Sequence, residues 1–571
     1  MRVAPVAPRH RGPLVIAMIA ILALLVPSAA IAAKPGPSTT IQILNVSDWH
    51  GNLDPVNGIG GASVISTYWK ADRLANPNTL TLTAGDDFGA TPPLSGFFDE
   101  EPSVRAQRLM GIQVGTFGNH NFDRGTEHLQ RMINLAGAPT SATALGSPFT
   151  YVSSDLQNLA GNLTGVDPFR IFTVGGVKVG VVGVTNPEAP GLVTPGNFGT
   201  ITIANAYSSA NKAKAAARKA GAQVIVAITH FGIRSFSNGA PQGELIDFAN
   251  NVGGFDVIFG DHTDIQFSGV INGQLVHENR SFGVSYAKTS ITVDSKGHVR
   301  DRSVQFVTPT AAGITKDPAI EAMLAPYRVD LAAALDGKIG TVSGTFIRRF
   351  PNDPKEAGNY ERRQETPLGD LVADGVRWKY GVQVGYMTGG GLRQDLPFSG
   401  YLPVDHTLRR PSAGYAAGPP FDVVKGDIYS VLPFNNVIVT RTVTGAQLWD
   451  VVENGVSQIS CSGAGSDGRF PQVSGIKFTF NYNLPAGSRV SNLRLDDETP
   501  IPDDTVSSFT FATTSFTNAG GDFYSMLADG QGVSRDLDAA VMLDYWAANG
   551  PNFDPASYPL DRIIKEGTPS C

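Results

Sequence analysis

Six short runs rich in Val and Ile, separated by stretches of helical pattern, constrain most strongly what this chain can fold into. They are Ile41–Val46, Thr79–Thr83, Val114–Phe117, Val179–Val184, Val224–Ile228 and Val257–Phe259. The runs are nearly continuous in apolar residues, so each predicts a strand covered on both faces. The Ala- and Lys-rich segment Ala204–Ala220 reads as one of the intervening helices. Such strands and helices in alternation form layered α/β domains, in which ligand groups collect beyond the carboxyl ends of the strands.

Polar motifs sit at those ends. They are Asp48-Trp49-His50-Gly51, Ala84-Gly85-Asp86-Asp87, Gly118-Asn119-His120, Thr229-His230 and Gly260-Asp261-His262. Positions i and i+2 lie on one side of an extended chain, so Asp48 and His50 can hold one ion jointly. Asp86 offers a carboxylate able to bridge two cations, Asn119 a neutral oxygen, and His230 and His262 imidazole nitrogens. Mixed nitrogen and oxygen donors without thiolate suit Zn, Mn, Fe or Co better than Ca. Two cations about 3.5–4 Å apart activate water and neutralise a phosphoryl group in transfer. One such histidine is usually structural, and one strand-end Asp is usually a cap. Five motifs in the same position on five runs are a different matter.

At 571 residues the chain exceeds one compact core, which predicts two large domains. Asp317–Leu335 reads as the helix between them: Ile320, Met323, Leu324, Tyr327 and Leu331 repeat at helical spacing, Asp317-Pro318 starts it, and Pro326 is a candidate kink. A net charge of −7 with no basic patch argues against a nucleic-acid polymer as partner. Arg2, Arg9 and Arg11, the apolar run Leu14–Val26 and Ala30-Ile31-Ala32 read as a cleavable secretory signal. Export into the periplasm, cell envelope or medium is therefore expected, with no membrane span after cleavage and no C-terminal anchor. Cys461 and Cys571 lack metal-site spacing; a single disulfide between them stays open.

These motifs, with Gly118-Asn119-His120-Asn121-Phe122-Asp123 and Gly260-Asp261-His262-Thr263-Asp264, resemble the calcineurin-like metallophosphoesterases. More closely, the chain resembles the secreted 5′-nucleotidase and UDP-sugar hydrolase family over nearly its whole mature length. The resemblance implies a four-layer α/β/β/α metallophosphoesterase domain (40–312), a connecting helix (313–337) and an α+β substrate-binding domain (338–571) behind a signal peptide (1–33). It implies one metal held by Asp48, His50, bridging Asp86 and Asp264, and another by Asp86, Asn119, His230 and His262. His120 with Asp123 would form a catalytic dyad that offsets negative charge on the phosphoryl or leaving group. Asp264 stands where relatives usually carry His or Gln, and Asn121 where an acidic residue is common. His128, His277, His298 and His406 match no ligand position and read as structural.

The second half resembles the same family. Arg362, seven residues before Gly369, and Arg393, in Gly389-Gly390-Gly391-Leu392-Arg393, match its phosphate-binding arginines. Guanidinium groups fork onto phosphate oxygens, and glycines let the backbone approach an anion. Phe434 and Phe516 match the two walls of a base-stacking clamp, and Asp522 the ribose contact. Thr388 departs from the family pattern, where Asn begins the glycine turn. The implied activity is release of phosphate from nucleoside 5′-phosphates by metal-activated water, using two divalent ions, Zn or Mn before Co or Mg. The alternatives are a UDP-sugar hydrolase or a 2′,3′-cyclic-nucleotide phosphodiesterase on the same scaffold.

Overall fold

The computed structural model describes residues 38–237, 239–348, 362–459 and 468–567. The predicted signal peptide, Cys461 and Cys571 lie outside them.

Two sheets packed face to face organise the first half. One has seven strands in the order Val299–Val307, Tyr286–Val293, Thr39–Asn45, Thr79–Leu82, Val114–Gly115, Thr150–Val152, Val166–Asp167. The other has six, in the order Phe267–Ile271, Gln274–Glu278, Val257–Gly260, Val224–Thr229, Val177–Val184, Phe169–Val174. The strands that lead to the motifs run parallel to one another within each sheet, and Thr39–Asn45 pairs antiparallel with Tyr286–Val293 on its other side. Side chains alternate across both faces: Val224, Val226 and Ile228 enter the core between the sheets, while Ile225 and Ala227 enter the one beneath the helices. Ile41, Ile43, Leu80, Leu82 and Val114 meet them from the first sheet. Helices cover both outer faces, which completes an α/β/β/α sandwich.

The helix Ala206–Lys219 shows how the outer layers close. Asn205 caps it by accepting from Ser208 N (3.0 Å), and Ala210, Ala213 and Ala217 turn inward at helical spacing. Small residues let the helix lie close to the sheet: a β-carbon on Gly180 would stand 3.1 Å from that of Ala222 and 3.2 Å from that of Ala217.

One predicted strand is shorter than its apolar run. Pairing ends at Gly115, because the Thr116 hydroxyl donates to the Val152 carbonyl (2.7 Å). That side-chain bond takes the place of a ladder bond and releases the chain toward Gly118 and Asn119.

The connecting helix runs from Pro318 to Leu335 with Pro326 inside it. Asp317 caps it, accepting from Ala319 N (3.1 Å), and is itself held by Ser66 Oγ and Lys70 Nζ, both at 2.6 Å. Ile320, Leu324, Leu331 and Leu335 join the apolar cluster of the first half, so the helix lies along that half.

The second half is built on a five-stranded sheet in the order Pro471–Ser474, Val384–Thr388, Ser508–Thr514, Val437–Thr444, Val533–Leu537. Helix Pro367–Tyr380 packs in a cluster with Met387, Ile438 and Ala512, and helix Gly445–Val456 in another with Val384, Tyr386 and Phe511. Phe398, Tyr401 and Val424 from this half enter the apolar cluster of the first and seat one half on the other. Leu324→Ala is expected to cost about 2–5 kcal/mol, read as a lower urea midpoint of unfolding at unchanged m-value.

Candidate metal centre and adjoining cavity

The loops after five strands bring the motif residues together. Asp48 and His50 follow Thr39–Asn45, Asp86 follows Thr79–Leu82, Asn119 and His120 follow Val114–Gly115, His230 follows Val224–Thr229, and His262 follows Val257–Gly260. Backbone bonds knit two of the loops, His50 N donating to Asp86 O (2.9 Å) and Gly51 N to Asp87 O (3.1 Å). Asp48, His50, Asp86, His262 and Asp264 all adopt positive φ, from 42° to 87°. Left-handed backbone is unfavourable for residues with a β-carbon and persists where surrounding bonds over-determine it. Here it turns the side chains toward one point.

Three sets of donor atoms each fit within 4.8 Å: His50, Asp86 and His120; Asp86, His230 and His262; Asp48, His230 and Asp261. His230 Nε2 lies 3.0 Å from Asp86 Oδ2 and 3.1 Å from His262 Nδ1. His50 Nδ1 donates to the Gly89 carbonyl (2.8 Å), which leaves Nε2 as the lone-pair nitrogen, 3.8 Å from Asp48 Oδ1. Asn119 Oδ1 is buried and accepts no hydrogen bond among the described residues. A buried oxygen of that kind is what a cation ligand looks like without its cation. The site also crowds like charges. Burial pushes the Asp48 carboxyl well above the usual range, with Asp261 adding to it, and burial raises Asp261 to about 7. Burial also opposes ionisation of Asp86, but the charges of His230 and His120 overcome it and hold its carboxyl below the usual range. Burial, then Arg393, hold His50 well below the ordinary imidazole value, and burial with His230 does the same to His262. Neutral imidazoles beside packed carboxylates fit divalent cations.

His120 stands at the edge of this cluster. Its Nδ1 faces Asp123 Oδ2 (3.0 Å) and its backbone N–H donates to Asp86 Oδ1 (2.8 Å). Asn121 braces the loop: its Oδ1 accepts from Gly118 N (2.8 Å) and Asp86 N (3.2 Å), and its Nδ2 donates to Asp87 Oδ1 (2.8 Å). A carboxylate there could accept but not donate, so the departure at Asn121 has a structural use.

Asp264 is placed differently from the other expected ligands. Its Oδ1 accepts from Ser281 N (2.8 Å) and Arg280 Nε (3.2 Å), and it belongs to none of the three donor sets among the described residues. Asp261, quoted in the motif but given no role from sequence, accepts from Asp48 N (3.0 Å) and lies 3.5 Å from His230 Nδ1. Its position between a strand end and His262 was the available signal. Ser281, also missed, donates to Asp48 Oδ2 (3.3 Å). Of the four other histidines among the described residues, His277 pairs with Thr289 Oγ1 (3.0 Å) in the core, and His298 and His406 are exposed. His128 bonds to Asp99 O (3.0 Å) yet touches the cavity wall.

A cavity of about 560 Å³ joins this centre to the second half. Arg362, Arg393, Phe434, Phe516 and Asp522 all line it. Phe434 stacks on His120 with ring centroids 5.7 Å apart, and the Arg393 guanidinium lies 5.7 Å from the Phe434 ring. Gly390 bonds to Gly468 O through its N–H (2.7 Å), and a β-carbon on Gly390 would come within 2.9 Å of Gly468 Cα. Arg348, unflagged in the sequence, is a further lining residue, buried with Nη1 donating to Arg393 O (2.7 Å).

Comparison with known proteins agrees with this layout. Residues 338–529 match the family model described as the 5′-nucleotidase C-terminal domain. The chain is 26% identical over 525 residues to Endonuclease YhcR of Bacillus subtilis, covering 89% of this chain and 40% of that protein. It is 24% identical over 564 residues to the 5′-nucleotidase of Vibrio cholerae, covering 90% of this chain and 91% of that one. Among solved structures, the 5′-nucleotidase precursor of Thermus thermophilus superposes with a TM-score of 0.75 at 24% identity, covering 93% of this chain and all of that one. Residues 338–529 thus carry a 5′-nucleotidase C-terminal domain, and the whole chain is similar in fold and in the order of its two halves to proteins named 5′-nucleotidase.

Proposed function

We propose that this protein releases phosphate from nucleoside 5′-phosphates with two divalent cations. One observation carries the reading: a single cavity sets the carboxylate and imidazole cluster of the first half against two arginines and two phenylalanines of the second. Asp48, His50 and bridging Asp86 would hold one cation, and Asp86, Asn119, His230 and His262 the other. Asp264, committed to Arg280 and Ser281, stands beside the first set, and Asp261 orients His230. The cations, Zn or Mn by the character of the donors, supply Lewis acidity for water activation and for neutralising phosphoryl oxygens.

The remaining work falls to the protein's own groups. Asp123 fixes the His120 ring through Nδ1, which leaves Nε2 as the nitrogen available to a phosphoryl or leaving oxygen. Arg362 and Arg393 bind phosphate oxygens. Phe434 and Phe516 receive the base by stacking, which tolerates base identity, and Asp522 accepts from sugar hydroxyls. Arg393 lies over Phe434, so phosphate and base recognition share one wall. The basic, apolar and A-x-A pattern of the first 33 residues supports export, and no helix among the described residues is long and apolar enough to cross a membrane.

The deciding experiment measures phosphate release from AMP, UDP-glucose and 2′,3′-cyclic AMP after chelation and refilling with Zn, Mn, Co or Mg. AMP should be turned over fastest; no release from any of the three with any metal would sink the proposal. Zn or Mn at about 100 times its dissociation constant should add about 2.7 kcal/mol to folding stability, seen as a higher melting temperature that chelator reverses. His120→Ala should lower kcat by about 10²–10³ while leaving metal content unchanged. Gly118→Ala tests the packing behind the bridge. Its β-carbon would lie 2.2 Å from Asp86 Oδ1 and 2.6 Å from His230 Cε1, so metal content should fall.

A further inference from the structure

We infer that Phe523 is a positioning residue that sets the sugar-binding turn of the second half against the first half; this rests on the nucleotidase reading. The turn Gly521–Phe523 carries Asp522 into the cavity, while Phe523 does not line it and is 43% exposed. Both residues hold positive φ, 52° and 64°. A bulky aromatic side chain is a poor choice for left-handed backbone, and a half-exposed one gains little by burial. Such a residue is held in place by a contact, and the contact lies across the seam between the halves.

The Phe523 ring rests on Gly191 of the short turn Ala189–Gly191, which follows strand Val177–Val184 of the first half. The fit leaves no space: a β-carbon on Gly191 would come within 2.9 Å of Phe523 Cζ and 3.2 Å of Cε1. The Arg469 guanidinium covers the ring at 4.8 Å. Residues flanking each partner, Glu188 and Leu192 on one side and Asp522 on the other, line the same cavity. The strained turn is pinned on its own side. Asn454 Nδ2 donates to Asp522 O (3.1 Å), and Tyr524 Oη donates to Arg469 O (2.6 Å). A turn this constrained moves as a unit, so the ring resting on Gly191 sets where Asp522 stands relative to His120 and the metal donors. The ligand class concerned is the nucleoside's sugar.

Gly191 is not in left-handed backbone, so alanine there meets the ring as its main obstacle. The test is a double-mutant cycle of Phe523→Gly and Gly191→Ala, with Phe523→Tyr as the conservative variant. Each disruptive variant should lose about tenfold in kcat/KM, carried mainly by KM, and the pair should lose no more than the worse single. Phe523→Tyr should restore parental values, and Phe523→Gly should melt no lower than the parent because it relieves the backbone. Parental kinetics in Phe523→Gly, or losses that multiply in the double variant, overturn the inference. Small-angle scattering supplies a readout without turnover: both single variants should expand the particle, and dimensions equal to the parent's overturn the contact. If the parent hydrolyses no nucleotide, the functional proposal fails and scattering still judges the seam.

Discussion

The structure depends first on the apolar contact between the two sheets of the first half. Val224, Val226 and Ile228 on one side and Ile41, Ile43 and Leu82 on the other are wholly buried there. Close-packed branched side chains do not slide past one another without opening voids, so the contact fixes the relative height of strands from different sheets. The loops bearing Asp48, Asp86, His120, His230 and His262 consequently emerge level with one another. Polar groups that are distant in sequence become neighbours because an oily layer beneath them does not yield.

What stands on that layer would be unfavourable as a finished protein interior. Asp48, Asp86 and Asp261 are buried together, and Asn119 Oδ1 finds no hydrogen-bond donor among the described residues. Buried charge needs compensation, and the imidazole of His230 between Asp86 and Asp261 supplies only part of it. Local strain, carboxylate crowding and the unsatisfied carboxamide occur at one place. The same electrostatic field continues into the second half, where Arg393 helps to hold His50 neutral from across the cavity. Guanidinium groups and buried carboxylates thus face each other across one cavity, an arrangement suited to a ligand that carries phosphate.

Much of this was legible because it is written locally. A buried strand shows as a run of branched residues, and the connecting helix announced itself through Asp317-Pro318 and the spacing of Ile320, Leu324 and Leu331. Donor residues were legible because each sits at the end of such a run. What escaped depends on backbone direction and distant partners. Asp264 reads as equivalent to its neighbours in the motif, and nothing local to it records that its Oδ1 also meets Arg280, sixteen residues on. Asp261 gained its place through a backbone N–H of Asp48 on another loop. Thr116 ended a strand through a hydroxyl that no periodicity records. Phe523 gave no signal because its partner is a glycine, which leaves no apolar pattern of its own.

The helix Pro318–Leu335 has a practical consequence for dissecting the molecule. Its inner face is part of the first half's core, and its cap is tied to Ser66 and Lys70. Beyond it, Asp336 accepts from Tyr401 Oη and Val404 N, both at 2.8 Å, so the chain is gripped again as soon as the helix ends. A fragment cut at residue 312 would bare an oily furrow where the helix belongs and tend to stick to its own copies. The natural scissors point lies after Leu335, where the chain has already finished roofing one half and has only begun to weave the other.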